Sequence, residues 1–382
     1  MPISDVLTPA LQVVAWEITK RCNLFCAHCR ASADNTQYAG ELSLDECRRV
    51  IDQVLEVAHP ILILSGGEPL FRDDVSEIAS YAVGRGLRVV MGTNGTLVDE
   101  ATAARLRAVP VSRLGISLDF PVPELQDKFR GQPGAFAAAM AGIANARSAG
   151  IEVQVNCTVT KLNAALLDQL VGLALEVGAV AFHPFLLVPT GRGKGLESAE
   201  LSPQEYEDTL NWIYDKQAEL GGRIFFKPTD APHYMRIVSQ RQGAGGPPAP
   251  QPAPAAARRG HPGNAMTRGC LAGTGFVFIS HQGKVKGCGY LDIEAGDLRE
   301  QSFAQIWNDS PLFGQLRDLS NIKGKCGVCQ YKRVCGGCRA RAYETTGDCL
   351  AAEPYCVYQP SSARQTSSGA ADRCHSTTST ER

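Results

Sequence analysis

The sequence predicts an α/β fold in which a parallel sheet is followed by a smaller, cysteine-rich module. From residue 11 to about residue 190, short apolar runs alternate with amphipathic segments. Repeated strand–helix units of this kind build parallel sheets with right-handed crossovers. Later in the chain, seven cysteines form a spaced pattern between residues 270 and 356. A chain of 382 residues is long enough for two or three domains.

Six apolar runs are predicted strands, and helical patterns separate them. A capping box, in which Ser43 and Glu46 cap each other's backbone amides, predicts a helix that continues to about Val57. Further helical patterns cover residues 135–149, 163–176 and 203–220. The predicted strands are residues 11–18, 61–64, 87–91, 113–118, 152–160 and 180–188.

Composition divides the chain into four parts. Residues 242–263 are rich in Pro, Gly and Ala, which predicts an exposed linker. Residues 360–382 are rich in Ser and Thr and are predicted to be disordered. We therefore assign the sheet core to residues 11–240 and the cysteine-rich module to residues 264–359.

The charge balance excludes some classes of partner. Lys and Arg number 38 against 39 Asp and Glu, so nothing in the charge favours nucleic acid or an anionic membrane surface. The chain has neither an 18-residue apolar run nor an N-terminal signal pattern, and we expect a cytoplasmic protein without a membrane span. In that compartment, 14 cysteines indicate metal clusters or thiol chemistry rather than disulfides. Four of them fit no ligand pattern and are predicted to be idle thiols: Cys47, Cys157, Cys349 and Cys374.

Three closely spaced cysteines, Cys22, Cys26 and Cys29, follow the first predicted strand. The C-x3-C-x2-C spacing brings three thiolates together and leaves no fourth cysteine nearby. A [4Fe-4S] cluster normally takes four thiolates, so three protein ligands would leave one iron open to a small molecule. The alternative is a structural zinc site, although zinc prefers four closed ligands in paired C-x2-C units.

The next predicted strands also end in polar or flexible residues. The turn from Gly66 to Pro69 follows the second strand, Asn94 follows the third, and Asp119 follows the fourth. The reactive residues of parallel sheets gather at the carboxyl ends of the strands. The sequence therefore predicts one site at this edge of the sheet.

The cysteine spacing together with these strand ends resembles the radical S-adenosylmethionine (SAM) superfamily. The resemblance implies a partial (β/α)6 TIM-type barrel, in which the amine and carboxylate of SAM chelate the open iron. It also implies that Phe25 and His28 shield the cluster and adenine rather than ligate iron. It further implies a set of SAM-binding residues, two of which have a plain alternative: Asn94 as an ordinary turn residue and Arg130 as a surface arginine. The implied SAM-binding residues are Gly67 and Glu68 for the amine, Gly66 in the same turn, Asn94 in the cleft, Ser117 and Asp119 for the ribose or carboxylate, and Arg130 as a carboxylate clamp.

The same resemblance implies the reaction type. An external electron donor, such as flavodoxin or ferredoxin, reduces the cluster held by Cys22, Cys26 and Cys29. SAM is then cleaved to methionine and a 5′-deoxyadenosyl radical, which abstracts hydrogen from an unactivated carbon. The cofactor carries this chemistry, and the barrel orients the reactants and excludes water.

The C-terminal cysteines resemble the SPASM extension of radical SAM enzymes, which carries auxiliary [4Fe-4S] clusters. The full pattern has a further cysteine shortly after the first, and family members often have a cysteine where Asp230 stands here. A second auxiliary cluster is therefore either absent or left with an open iron. Zinc bound by the C-x2-C pairs is the alternative. The resemblance implies one cluster on Cys326, Cys329, Cys335 and Cys356, and only Cys270, Cys288 and Cys338 remain for another.

Longer stretches resemble the family of AdoMet-dependent haem synthases of the sirohaem-based pathway, namely residues 186–193, 231–234, 266–280, 335–343 and 353–356. The resemblance implies that two propionates of Fe-coproporphyrin III are oxidatively decarboxylated to vinyls, which yields protohaem. A substrate with four propionates requires an apolar cleft with several cations. The candidate carboxylate partners are Arg192, Lys194, Lys227 and Arg268, each alternatively a surface charge. The candidate iron ligands are His183, His233 and His281, each alternatively a hydrogen-bonding residue.

Three other functions stay open at this point. A didecarboxysirohaem deacetylase of the same pathway would share the barrel and the cysteine-rich extension, and so would a peptide-modifying SPASM enzyme. A non-catalytic iron–sulfur carrier would need no SAM pocket, so the turn at Gly66–Pro69 and the segment at Ile116–Asp119 argue against it. Formation of 5′-deoxyadenosine from SAM under reducing conditions separates a carrier from an enzyme.

Overall fold

A computed structural model describes residues 5–243 and 268–361. The predicted linker at 242–263 and the predicted tail at 360–382 therefore lie almost entirely outside the described residues, and so does Cys374. The division of the chain into four parts stays a prediction.

Within the two described ranges, all strands belong to one ten-stranded sheet with the order β10-β9-β8-β1-β2-β3-β4-β5-β6-β7. The six strands predicted from the apolar runs are confirmed, with ends that differ by one or two residues. The bounds are β1 Val13–Thr19, β2 Ile61–Gly66, β3 Arg88–Thr93, β4 Arg113–Ser117, β5 Glu152–Val159, β6 Ala181–Leu186, β7 Phe225–Phe226, β8 Phe276–Ile279, β9 Lys284–Cys288 and β10 Leu291–Asp297.

The first seven helices cross over between the barrel strands, as the repeated strand–helix pattern requires, the eighth lies between β7 and β8, and the last four follow β10. They are α1 Leu44–Val57, α2 Val75–Gly84, α3 Glu100–Ala108, α4 Pro123–Arg130, α5 Ala135–Ser148, α6 Leu167–Glu176, α7 Pro203–Leu220, α8 Tyr234–Gly243, α9 Phe303–Asp309, α10 Pro311–Arg317, α11 Gly324–Gly327 and α12 Arg339–Thr346. Short 3-10 helices occupy Pro69–Phe71, Ala164–Leu166, Gly191–Ala199 and Leu319–Asn321.

Local capping signals explain several helix starts. At α1 the predicted capping box is present: Glu46 N donates to Ser43 Oγ at 3.3 Å, and Ser43 N donates to Glu46 Oε2 at 2.8 Å. The helix predicted to begin at residue 163 begins later, at Leu167. The reason is that the Asn163 side chain accepts from Thr160 N at 2.8 Å and donates to Asp119 O at 2.9 Å, which holds this segment in a turn.

Strands β1 to β7 are parallel neighbours, and one face of them packs against the helices. Side chains alternate along a strand, so Val14, Trp16 and Ile18 of β1 enter this apolar core while Glu17 lies on the other face. The carboxyl ends of β1 to β4 are followed by the cysteine loop, the Gly-Gly-Glu-Pro turn, Asn94 and Asp119. The sheet therefore brings the predicted site residues to one edge.

The cysteine-rich module extends the same sheet. Its first strand, β8, pairs in parallel with β1, with Val13 opposite Phe276 and Trp16 opposite Ile279. Strands β9 and β10 continue in antiparallel fashion. Because β8 and β1 run in the same direction, the turn after β8 lies at the edge that carries the cysteine loop. Among the residues that the structure describes, no helix is long and apolar enough to cross a membrane.

Candidate active site

The loop after β1 gathers the three closely spaced cysteines. Cys22 and Cys26 are buried and Cys29 is half-buried. Burial, together with the negative charges of Glu68, Cys26 and Cys29, raises the pKa of Cys22 to about 12. Backbone amides face two of the sulfurs, with Leu24 N 3.3 Å from Cys22 Sγ and Ala33 N 3.3 Å from Cys29 Sγ. Neighbouring thiolates in such a site need a bound cation to offset their mutual repulsion.

The three sulfurs fit the ligand set of a four-iron cluster. Within residues 5–243 and 268–361, no three His, Cys, Asp or Glu side chains converge tightly enough to hold a single metal ion. The thiolates of a four-iron cluster bind separate iron atoms and need not converge on one point.

The Gly-Gly-Glu-Pro turn is fastened to the start of the cysteine loop. Gly67 N donates to Thr19 O at 2.9 Å, and Glu68 N donates to Arg21 O at 2.8 Å. A Cβ on Gly66 would lie 2.4 Å from Thr19 O, and a Cβ on Gly67 would lie 2.4 Å from Arg21 O. Both positions therefore require glycine, because the two backbones approach too closely for a side chain.

Glu68 presents a fully buried carboxylate beside the cysteine loop. One oxygen accepts from Leu70 N at 3.1 Å and from Thr93 Oγ1 at 2.8 Å, and the other accepts from Asn94 N at 2.7 Å. Burial raises the pKa of Glu68 to about 7, although these hydrogen bonds act in the opposite direction. A buried carboxylate of this kind is best stabilised by a cation.

Asn94 stabilises the cysteine loop directly. Its amide nitrogen donates to Asn23 Oδ1 at 2.8 Å and lies 3.9 Å from Cys22 Sγ. Its oxygen accepts from Thr96 N at 2.9 Å. Protein partners thus occupy this side chain, and its contact with SAM stays a prediction.

Asp119 and Arg130 form a buried ion pair next to the second cysteine. Arg130 Nη2 lies 2.5 Å from Asp119 Oδ2, and Arg130 Nη1 lies 3.8 Å from Cys26 Sγ. Asp119 Oδ1 also accepts from Thr158 N at 2.7 Å. Burial alone would lower the pKa of Arg130, but the charges of Asp119 and Cys26 raise it. The sequence did not predict this pair. Of the three guanidinium nitrogens of Arg130, only Nε has no partner among the described residues.

Ser117 ends β4 next to this pair and is half-buried. Its carbonyl accepts from Gln126 Nε2 at 3.3 Å. The predicted contact of Ser117 with the ribose or carboxylate of SAM stays a prediction.

The C-terminal module gathers the four cysteines assigned to one auxiliary cluster. Cys326, Cys329, Cys335 and Cys356 line the same cavity, together with His233 and Arg236. Backbone amides face two of the sulfurs, with Glu353 N 3.3 Å from Cys326 Sγ and Gly337 N 3.4 Å from Cys335 Sγ. The cavity therefore fits the predicted ligand set.

The remaining three cysteines of the pattern, Cys270, Cys288 and Cys338, lie around Asp230. Burial, together with the charges of Asp230 and Cys270, raises the pKa of Cys288 to about 12. Burial likewise raises the pKa of Asp230 to about 7. A second auxiliary cluster at this position stays a prediction. Of the cysteines predicted to be idle, Cys47, Cys157 and Cys349 are buried free thiols.

Comparison with known proteins decides the family. Residues 16–168 match the Radical SAM superfamily, and residues 270–339 match an iron–sulfur cluster-binding domain named SPASM. An AdoMet-dependent heme synthase of Methanosarcina barkeri is 50% identical over 93% of this chain and 98% of its own. An AdoMet-dependent heme synthase of Nitratidesulfovibrio vulgaris is 47% identical over 92% of this chain and 94% of its own length. An Fe-coproporphyrin III synthase of Methanosarcina barkeri is 32% identical over 90% of this chain and 87% of its own.

The chain belongs to the radical SAM superfamily.

A solved structure shows the same fold. Streptococcus suis SuiB bound to S-adenosylmethionine superimposes with a TM-score of 0.71 at 16% identity, over 91% of this chain and 77% of that chain. This radical SAM protein therefore has the predicted partial barrel, with a SPASM module at its C-terminal side. It is an oxidoreductase that uses SAM and a [4Fe-4S] cluster, and its SPASM module carries at least one auxiliary iron–sulfur cluster.

Sequence reasoning missed a second set of residues around the cysteine loop of this radical SAM protein. Glu17 accepts from Arg30 Nη2 at 2.8 Å, and its other oxygen lies 2.8 Å from His281 Nδ1. Arg30 Nη1 donates to Gly289 O at 3.3 Å. This cluster joins the barrel to the SPASM module. A carboxylate inside the otherwise apolar β1 was the one signal that could have revealed it.

The candidate substrate cations have different environments. Arg192 donates to Cys26 O at 2.9 Å and to Ala33 O at 2.7 Å, and it lies 3.8 Å above the Phe25 ring, so it clamps the cysteine loop. Lys194 lies 3.3 Å from Glu344, and Arg268 donates to Arg333 O at 3.1 Å. Within the described residues, the ammonium of Lys227 alone among these four has neither an ion pair nor a hydrogen bond.

The two aromatic residues of the loop and the candidate histidines also have defined positions. His28 stacks on Phe129 with the ring centroids 4.5 Å apart, while 57% of Phe25 is exposed. His233 is fully buried and stacks on Tyr206 at 4.5 Å. His183 lies 2.9 Å from Gln154 Nε2. Iron ligation by any of the three histidines stays a prediction.

Proposed function

We propose that this radical SAM enzyme is a haem synthase that oxidatively decarboxylates two propionates of Fe-coproporphyrin III to vinyl groups. The observation that carries the proposal is the 50% identity to an AdoMet-dependent heme synthase over nearly the whole of both chains. Relatives with other names in tetrapyrrole chemistry are only 32% identical. These identities support a porphyrin substrate that carries several carboxylates.

The site supports this reaction through the residues that hold the cofactors. Cys22, Cys26 and Cys29 would hold the cluster, and Glu68 would accept the ammonium of SAM. Once reduced and loaded with SAM, the cofactor supplies one-electron chemistry that removes hydrogen from an unactivated carbon. An external donor such as flavodoxin or ferredoxin would provide the electron.

The overall balance requires an electron acceptor. Each propionate loses one hydrogen atom from its β-carbon, one CO2 and one electron, and becomes a vinyl group. Cys326, Cys329, Cys335 and Cys356 would hold an auxiliary cluster, which is a suitable one-electron acceptor when bound. The buried pair of Asp119 and Arg130 fixes the second cysteine of the loop and excludes water from its surroundings.

The test is incubation of the anaerobically reconstituted enzyme with SAM, a reductant and one of two substrates. With Fe-coproporphyrin III we expect the neutral mass of the product to fall by two CO2 and four hydrogen atoms, because each propionic acid loses a β-hydrogen atom, CO2, one electron and its carboxyl proton. With didecarboxysirohaem we expect no change. Loss of acetate groups from didecarboxysirohaem, with no reaction of Fe-coproporphyrin III, would identify the deacetylase instead.

A further inference from the structure

Lys227 and His183 are neighbours on the inner face of the barrel. Phe182 and Phe226 are paired in the register of β6 and β7, and their rings pack in the core with centroids 5.6 Å apart. The next residue on each strand, His183 and Lys227, must point to the opposite face. Lys227 N donates to Phe182 O at 3.2 Å, which continues this pairing.

The ammonium of Lys227 lacks a counter-charge. Within residues 5–243 and 268–361, it forms no ion pair and no hydrogen bond. Burial is the sole cause that lowers the pKa of Lys227. Lys227 is half-buried, and a partly dehydrated ammonium without a counter-charge carries a cost, because its lost hydration is not replaced. An anion supplied from outside the chain would remove that cost.

His183 offers a second donor, and its tautomer is determined by a neighbour. Gln154 Nε2 donates to Asn156 Oδ1 at 2.7 Å and lies 2.9 Å from His183 Nδ1. Because the amide nitrogen donates, Nδ1 of His183 accepts, and the proton of the neutral imidazole is on Nε2. That Nε2 is buried and has no partner among the described residues. It is an unused N–H donor.

The two unused donors belong to one site. The pairing of β6 with β7 places His183 and Lys227 on adjacent strands and on the same face of the sheet. Burial lowers the pKa of His183, and the charges of Lys227 and Arg113 act in the same direction, so His183 stays neutral. Arg113 forms an ion pair with Glu152 at 2.8 Å and acts on His183 only through its charge. One ammonium and one N–H on neighbouring strands, without an acceptor, match the two oxygens of a carboxylate.

We propose that Lys227 and His183 bind one carboxylate of the substrate inside the barrel. The proposal rests on the proposed function, which provides a substrate with propionate side chains. The Lys227 ammonium neutralises the carboxylate, and His183 Nε2–H fixes its direction. Gln154 is a positioning residue, since it determines which nitrogen of His183 donates.

The first test measures the affinity of the reconstituted enzyme for Fe-coproporphyrin III. The substrate is titrated without SAM, and the change in its Soret band gives the Kd. For Lys227→Met we expect the Kd to rise about 10- to 100-fold, the range for one charged hydrogen bond. Affinity for the tetramethyl ester, which has no free carboxylate, should stay the same. In the matched control Lys161→Met, which removes an exposed ammonium 3.8 Å from Glu205, both affinities should stay the same. Unchanged affinity in Lys227→Met, or equal losses for acid and ester, would overturn the proposal.

A second test uses the wild-type chain and does not depend on the folding of a variant. A carbodiimide joins a lysine amine to a carboxylate that touches it, forming an amide while the carbodiimide becomes a urea. We expect the mass of the peptide that contains Lys227 to increase by the mass of the substrate minus one water. Adducts found only on other lysines would contradict the proposal.

The two proposals can fail separately. If the wild-type enzyme forms haem and Lys227→Met keeps wild-type affinity, only the proposed carboxylate site is refuted. Selective loss of affinity for the acid, in an enzyme that forms no haem, would support the site and remove only the proposed function.

Discussion

At the scale of single residues, the site depends on buried charges that hold one another in place. Arg130 lies between Asp119 and Cys26, and Glu68 receives three donors from the segments around it. Such groups lose hydration when they are buried, so each needs its partner. Substitution of one of them therefore affects cofactor binding more than a surface change would.

Cys26 provides the direct test of the cluster loop. In Cys26→Ala we expect iron content to fall by about four atoms per chain, and formation of 5′-deoxyadenosine from SAM to cease. Iron analysis and chromatography of the reduced, SAM-treated protein measure both. The matched control is Cys47→Ala, which removes a buried thiol outside the ligand sets. Zinc in place of iron in the wild-type loop, or continued SAM cleavage in Cys26→Ala, would reject the assignment.

The raised pKa of Glu68 predicts how SAM binding depends on pH. Its folded pKa of about 7 lies above the usual 4.5, so the unbound folded state loses stability as pH rises from about 4.5 to 7. The ammonium of SAM favours the ionised form, and affinity should therefore increase about fivefold from pH 6 to pH 7. Glu68→Gln should weaken binding about tenfold and remove this dependence. Isothermal titration at both pH values provides the measurement, and wild-type affinity in Glu68→Gln would exclude the role.

At the scale of elements, the site is formed where loops from different strands come close together. The Gly-Gly-Glu-Pro turn after β2 forms backbone hydrogen bonds to the end of β1 and to the start of the cysteine loop. Gly191, from a later segment, packs against the carbonyls of Cys29 and Arg30. A Cβ on Gly191 would lie 2.2 Å from Arg30 O. Glycine at these contacts lets three chain segments pack with backbone against backbone.

Gly67→Ala tests this close approach. The new Cβ would lie 2.4 Å from Arg21 O and 2.5 Å from Lys20 O, both of them backbone atoms. We expect the free energy of unfolding in urea to fall by more than about 2 kcal/mol, because the loop must move. Gly172→Ala in α6 is the matched control, since nothing lies within 4 Å of its Cβ position; it should stabilise the protein by about 0.5–1 kcal/mol. Equal stability of the two variants would contradict the argument.

At the scale of the whole molecule, the barrel and the SPASM module share one sheet. The pairing of β8 with β1, and the bonds of Arg30 to Glu17 and to Gly289, join the two parts close to the cysteine loop. Arg341 of the module also donates to Leu187 O at 2.9 Å, at the end of β6. This connection holds the auxiliary cysteines in a defined position relative to the barrel.

Cys329→Ala separates the two halves of the reaction. The variant should keep SAM cleavage, because the cysteine loop of the barrel is intact. It should lose vinyl formation, because the electron from the substrate would have no acceptor. The yields of 5′-deoxyadenosine and haem measure the two steps, with Cys349→Ala, another buried thiol, as the control. Normal haem formation in Cys329→Ala would refute the role of this cluster.

The sequence by itself determined those features that depend on neighbouring residues. The apolar runs predicted β1 to β6, Ser43 and Glu46 predicted the start of α1, and the spacing of Cys22, Cys26 and Cys29 predicted the cluster loop. Strand periodicity, helix capping and ligand spacing act within a few residues, so they are readable in the printed chain.

Only the tertiary structure decided which charges have partners. His281 meets Glu17 across 264 positions, and Arg192 meets Cys26 O across 166. Among the described residues, the ammonium of Lys227 is left without an acceptor although nothing in its local sequence distinguishes it from Lys194. The physical reason is that burial and pairing of a charge depend on segments that meet only after folding.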